Sequence, residues 1–440
     1  MASKGRLTSK GRRRTLVAGT VLGSLLLSSC VIGGGGDTPE SKDSDGKVAG
    51  TITFQTWNLK NDKFTAYFDD LIASFEKEHP GTEITWVDQP AEGYQDKLSA
   101  DAAAGSLPDV VDMGPEAAYT LAQAGVLLDL GKEDPKAKSG YLDKAWQAMT
   151  FDGLGGGTYG YPWYLNTGPS FFNKALLKKC ALDPAKLPAT YDELFDQAGT
   201  MAEHCPEVAM IARMPAIETF GEYGVELMDA GGTKFTYNDA KGVELVERFR
   251  KLYAKKGLTE EALNNLQTKE VEEFKAGRLA YLPGSSYTLT DLKDTAPDVY
   301  KDLAIGPRIN NGSPNMYIES LVVNATSKHP ALAKAFATYV TNSANQLAFA
   351  KKASVFPSSA GTLDDPYFTK DDGDPATKVR IESTEQVRKA VVWWPPAFSG
   401  SADSETLREQ IAQAMLGKKS VKSALDASVR YSNERLEANG

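Results

Sequence analysis

The sequence predicts an α/β fold, and three observations carry that prediction. Strand-like and helix-like segments alternate between residues 51 and 113. Hydrophobic residues make up 41% of the 440-residue chain against 24% charged, enough to bury a sizeable core. Gly and Pro are spread along the body, with no internal repeat and no linker that would cut it into beads. That is the pattern of lobes built from discontinuous segments.

The elements follow in order. Thr51–Thr56 alternates polar and apolar residues and reads as a strand. Between Asp62 and Glu78, Phe64, Phe68, Leu71, Ile72 and Phe75 recur at helical spacing, and His79-Pro80-Gly81 stops the pattern. Glu83–Val87 reads as a second strand, Ala-rich Tyr94–Gly105 as a helix and Asp109–Met113 as a short apolar strand. The βαβαβ order puts short loops at the carboxyl ends of the strands, where α/β proteins bind ligands. Tyr159–Trp163 and Pro169–Phe172 read as extended, followed by a helix from Lys174 and another over Tyr191–Glu203. Val208–Ala212, Arg278–Leu282 and Met316–Val323 read as strands, and Asn238–Lys255 and Pro330–Thr341 as helices. Glu405–Leu436 reads as two helices around Gly417.

Charge narrows the function. The chain holds 49 Lys and Arg against 58 Asp and Glu. Residues 1–29 contain six of the bases and no acid, which leaves a distinctly acidic body. Such a body is unsuited to nucleic acid, whose binding rests on neutralising phosphates. With three His and three Cys, little material exists for a metal site or a His-based triad, so neither metal nor cofactor is expected.

The first thirty residues predict an export signal. The basic segment ends in Arg12-Arg13-Arg14, and the apolar run Leu16–Leu27 is too short for the roughly 20 residues of a membrane span. Leu27-Ser28-Ser29-Cys30 resembles a bacterial lipobox, so residues 1–29 are expected to be a lipoprotein signal peptide and Cys30 the lipidated residue. An ordinary secretory signal with a chance Cys is the plainer alternative. Arg13-Arg14 leaves the general and twin-arginine routes both open. Residues 30–49, with Gly33–Gly36, read as a flexible tether, which places the body on the extracytoplasmic face of the membrane. Cys180 and Cys205 are then left as an even pair outside the reducing cytosol, either bridged or buried as two free thiols.

Several motifs coincide in order. Phe75-Glu76-Lys77-Glu78-His79-Pro80-Gly81 precedes Tyr94-Gln95-Asp96-Lys97-Leu98 and the run Ala102-Ala103-Ala104-Gly105-Ser106-Leu107-Pro108-Asp109. Ala122-Gln123-Ala124-Gly125-Val126-Leu127, Tyr159-Gly160-Tyr161-Pro162, Phe171-Phe172-Asn173-Lys174-Ala175 and Phe274-Lys275-Ala276-Gly277-Arg278 follow. Over residues 50–440 the chain resembles the extracellular solute-binding proteins that feed carbohydrate ABC importers, the maltose-binding-protein-like family. The resemblance implies a two-lobed periplasmic-binding-protein fold with a hinge of crossing segments and a ligand cleft between the lobes. Mapped here, lobe one takes 50–165 and 317–357, and lobe two takes 166–316 and 358–440. The implied partners are a carbohydrate ligand and the importer's membrane subunits. The protein is expected to be a monomer and not an enzyme, touching the membrane through its lipid anchor alone.

A saccharide site needs aromatic plates for sugar faces and carboxylates or amides for hydroxyls. Trp57 and Asn58 follow the first strand, at a ligand-binding carboxyl end; helix-entry packing is the alternative for Trp57. Glu116 matches a carboxylate position of the family, and as a helix N-terminal acid it would also be favourable with the dipole. Trp163, Tyr164 and Asn166 occupy the first expected crossover, with Tyr317 and Glu319 near the second. The family places an aromatic close to Ser286, where this chain has none; Ser285 and Tyr287 are the candidates there. Phe220 and Tyr223 fall where another lobe-two aromatic is expected, or pack in the core. Adjacent Trp393 and Trp394 before Pro395-Pro396 cannot both face one core from a regular helix, so one is expected to line the cleft. Trp86 and Trp146 are assigned to the core. A secreted glycosidase using paired carboxylates and a surface adhesin are the rival readings.

Overall fold

The computed structural model describes residues 46–264, 267–398 and 400–439. The predicted signal peptide, Cys30 and most of the tether lie outside the described residues. Within the body the chain forms β1 (Gly50–Trp57), β2 (Thr82–Gln89), β3 (Val110–Met113), β4 (Thr150–Phe151), β5 (Gly157–Thr158), β6 (Tyr161–Asn166) and β7 (Ser170–Asn173). Then come β8 (Tyr281–Pro283), β9 (Leu303–Gly306), β10 (Tyr317–Val323) and β11 (Phe356–Pro357).

Six of these make one sheet in the order β11-β6-β10-β3-β1-β2. β1 pairs parallel with both β2 and β3, because a helix returns the chain between each pair of strands. The first of these helices, Thr65–Glu78, buries Phe68, Leu71, Ile72 and Phe75, a stripe one face wide, against the sheet core of Ile52, Phe54 and Trp86. His79 closes it by donating its N–H to the Phe75 carbonyl. β10 then enters antiparallel between β3 and β6. This direction matters, since it brings the amino end of β10 beside the carboxyl end of β3.

A second sheet, β8-β7-β9, is antiparallel and packs into a separate core that includes Phe172, Leu177, Phe195, Phe220 and Phe249. Val208–Ala212 forms only isolated bridges, at Ala209–Leu279 and Ile211–Leu258, rather than a full strand. The chain passes between the two sheets at residues 167–169 and again between β9 and β10. A third strand-like segment lies beside the second passage, where Asn315 bridges Val391 in parallel. Asn315, fully buried, ties all three. Its carbonyl accepts the Thr167 hydroxyl at 2.9 Å, and its Oδ1 accepts the Trp393 backbone N–H at 2.9 Å. The Gly168 backbone lies against the Gly284 carbonyl so closely that a Cβ would collide with it.

After the second sheet's main segments, Leu363, Phe368, Val387 and Ala390 pack with Leu165, Ile318 and Phe356 of the first sheet's strands. The two terminal helices, Gly400–Met415 and Val421–Asn439, pack on each other and on the helix Ala240–Ala254. Among the described residues, no helix is long and apolar enough to cross a membrane.

Cys180 and Cys205 are bridged, with Cα atoms 5.5 Å apart and both side chains buried. The bond staples the end of the helix Lys174–Lys179 to the C-cap of the helix Tyr191–His204. The loop closed spans 25 positions, for which chain entropy gives about 3.5 kcal/mol of stabilisation. Replacing both cysteines by alanine should therefore lower the unfolding free energy by about 2–4 kcal/mol in urea titration. An unchanged midpoint would show that the bridge contributes nothing.

Candidate ligand-binding cleft

Strand directions assemble the site. Trp57 is the last residue of β1, and β3 runs out into Gly114-Pro115-Glu116. Pro115 opens the helix Pro115–Gln123 with its fixed φ, and Glu116 sits in the first turn, where the helix dipole favours a negative charge. β10 is antiparallel with Ser320 opposite Met113, so Tyr317 and Glu319 overhang the same edge. With Tyr94 and Gln95 at the start of the helix Tyr94–Ala103, and with Trp394, these residues enclose a chamber of about 360 Å³.

A second chamber, about 330 Å³, shares Tyr317 as a wall. Its charged groups are largely paired: Arg213 with Glu270, and Arg308 with Glu222. Glu222 also accepts the Tyr191 hydroxyl at 3.2 Å and the Asn315 backbone N–H at 2.9 Å, which fixes the chamber floor to the crossing segments. A third chamber, about 320 Å³, is bounded by Trp394 and Arg408. It shares Trp394 with the first chamber and Ala216 with the second.

The first chamber is electrostatically unbalanced. Burial, with the Glu116 charge adding to it, pushes the Glu319 carboxyl up to about 8, against which the Trp57 indole acts as a hydrogen-bonding partner. Burial likewise pushes Glu116 up to about 7, with Gln95 opposing the shift and Glu218 adding to it. Behind them the wholly buried Asp112 is held far above the usual carboxylate range by desolvation and by the charges of Glu319 and Asp88. Oε2 of Glu319, Oε2 of Glu218 and both carboxylate oxygens of Asp112 are buried with no hydrogen-bond partner among the described residues. Tyr317 donates its hydroxyl to the other oxygen of Glu218 at 3.4 Å.

Of the residues singled out in the sequence, Trp57, Glu116, Tyr317 and Trp394 line the first chamber together, and Glu319 with them. Others stand elsewhere. Trp163 is fully buried and stacks on Phe349 at 4.9 Å in the first sheet's core, because its strand position faces the helix Ser343–Ala353 rather than the sheet edge. Tyr164 packs against the same Phe349 ring and Asn166 is exposed on β6; neither lines any of these three chambers. Asn58 is exposed, with a left-handed backbone at φ 55°, and its carbonyl accepts from the Asn61 side chain. Ser285 caps the helix Ser286–Thr295 by accepting the Thr288 N–H, and Tyr287 is 83% exposed. Trp393 lies over Gly221, whose missing Cβ admits the ring, and donates its indole N–H to the Ser313 carbonyl at 2.8 Å. Phe220 and Tyr223 are core residues, as are Trp86 and Trp146.

Sequence reasoning missed Tyr94, Gln95 and the charged lining of the second chamber. Arg213 directly follows the segment Val208–Ala212, so the strand-end rule that selected Trp57 selects Arg213 as well. Tyr94 and Gln95 open the helix that follows the carboxyl end of β2.

Comparison with known proteins fits this geometry. Residues 60–347 match the profile of the bacterial extracellular solute-binding protein family. The galactooligosaccharide-binding protein of Bacillus subtilis is 25% identical over 381 residues, 79% of this chain and 85% of that protein. The maltodextrin-binding protein MdxE of the same organism is 26% identical over 335 residues, 72% and 74% of the two chains. The crystal structure of the GacH receptor of Streptomyces glaucescens superposes with a TM-score of 0.65 at 24% identity, covering 89% of this chain and 99% of that one. Such structural neighbours are two-lobed periplasmic-binding proteins, and the two sheets with their crossing segments have that architecture.

The raised carboxyls fix the sign of a pH effect. Between the ordinary glutamate value of 4.5 and the raised values of about 7 and 8, the folded state holds protons that the unfolded chain has released. The contribution of Glu116 and Glu319 to the stability of unliganded protein therefore falls as pH rises through that window. Glu319→Gln should gain in melting temperature over the parent progressively between pH 5 and pH 8. A constant offset across that range would contradict the shift.

Proposed function

Because the chain belongs to the family of bacterial extracellular solute-binding proteins, we propose that it captures a di- or oligosaccharide in the Trp57–Trp394 cleft and hands it to an ABC importer. The observation that carries this reading is the convergence of aromatic rings with buried carboxylates around one chamber, joined to two others through Tyr317 and Trp394. Rings supply apolar plates for sugar C–H faces, while carboxylates and Gln95 supply acceptors and a donor for hydroxyls. The sugar is bound and released without covalent change.

Capture works by hinge closure. Lobe one is 50–165 with 317–357, and lobe two is 166–316 with 358–440, although residues 363–390 also pack on the first sheet's strands. A ligand held by groups from both lobes binds the closed arrangement better than the open one and shifts the population accordingly. The importer's membrane subunits would read the closed form. The protein works as a monomer, exported and tethered to the extracytoplasmic membrane face by acyl chains on Cys30.

A thermal-shift panel of neutral mono- and oligosaccharides tests the ligand class, since a sugar at 100 times its Kd adds about 2.7 kcal/mol. With a binding sugar in hand, Trp394→Ala and Tyr317→Ala should each weaken affinity about tenfold or more in calorimetry, a loss of about 1.4 kcal/mol. Tyr287→Ala should leave it unchanged. Equal losses at all three positions would count against the cleft assignment. Separately, Cys30→Ala should abolish incorporation of labelled palmitate and release the protein into the medium; continued labelling would reject the anchor.

A further inference from the structure

The cleft is short of positive charge. Five carboxylates, Glu116, Glu218, Glu222, Glu270 and Glu319, line its first two chambers, against two guanidiniums, Arg213 and Arg308. Both guanidiniums are spent in the second chamber, on Glu270 and Glu222. The first chamber is lined by no Lys or Arg among the described residues. Arg435 reaches a side pocket that also touches Glu116, yet it is bonded to Asp403 at 3.1 Å.

We propose that the ligand carries a protonated amine, making it an amino-sugar unit or an amine-bearing oligosaccharide, and that the ammonium sits between Glu116 and Glu319. This deepens the saccharide reading and rests on it. The Glu319 carboxylate lies beside Gly114, both oxygens 3.8 Å from where a Cβ would stand, two residues before Glu116. Its Oε2 is buried and unpartnered, as is Oε2 of Glu218, whose charge reaches Glu116 from the second chamber. Closure over a neutral sugar would remove still more water from these acids, which penalises their charged forms. An ammonium offers three donors and a compensating charge, and its hydrogen bonds to carboxylates are about twice as strong as neutral ones. Among the described residues no cluster of three or more His, Cys, Asp or Glu is arranged to hold a metal ion. The uncharged groups facing the pair are Trp57, Tyr94, Gln95, Tyr317 and Trp394, which provide ring faces and hydroxyl contacts for the rest of the sugar.

Calorimetry near neutral pH with matched ligands tests the charge. The ligands are mono- and trisaccharides in amine, N-acetyl and hydroxyl forms at C2, glucosamine and its trimer among them. The amine form should bind at least tenfold more tightly than its hydroxyl and N-acetyl counterparts. Glu319→Gln and Glu116→Gln should each reduce that preference severalfold, and added salt should reduce it further. A hydroxyl or N-acetyl form that binds as well as the amine, or a preference unchanged in both variants, overturns the cationic ligand and leaves the saccharide reading standing. Silence from every form, neutral panel included, rejects both.

Discussion

Asn315 is the point on which the molecule turns. Its backbone carbonyl, backbone N–H and side-chain oxygen each hold a different segment: Thr167 in the first crossing, Glu222 in the second chamber and Trp393 in the third strand-like segment. Glu222 is in turn committed to Arg308 and Tyr191. A buried ion pair carries a large desolvation cost, which only close geometry and further hydrogen bonds offset. Here those further bonds are the ones that fasten the hinge. The floor of the cleft and the chain crossings are thus parts of one polar network, and any rearrangement of the crossings must preserve the partners of Glu222.

The same economy governs the first chamber. β1 and β3 end together because they are parallel neighbours, and β10 begins there because it runs the other way. Trp57, Glu116 and Glu319 come from sequence positions far apart, yet sheet topology puts them around one void. The electrostatic strain is a property of that placement: two acids are brought near one another in a chamber that no lysine or arginine lines among the described residues.

The βαβαβ start was legible because each strand and helix there shows its own period, two or 3.6, between clear breakers. The places of Trp57 and Glu116 beside the first chamber were legible for a related reason, as each follows a predicted strand, and that of Tyr317 because it stands near the second expected crossover. Trp163 was not, because period two in a strand says only that alternate residues face opposite sides. Which side meets Phe349 depends on a helix nearly 190 positions away. Trp393 and Trp394 could be recognised as a pair with divergent faces, but the choice between them rests on Gly221, whose bare backbone accepts the Trp393 ring. The charged lining of the second chamber was hidden by ordinary amphipathic patterning, since Arg213, Glu218 and Glu270 look like surface residues until their partners are known.

The Cys180–Cys205 bridge lies within the second core. A bond of this kind closes only in an oxidising compartment. In a reducing compartment the chain would lack that increment of stability. Once formed, the bond locks the finished domain and gives it a resilience that its reduced form does not possess.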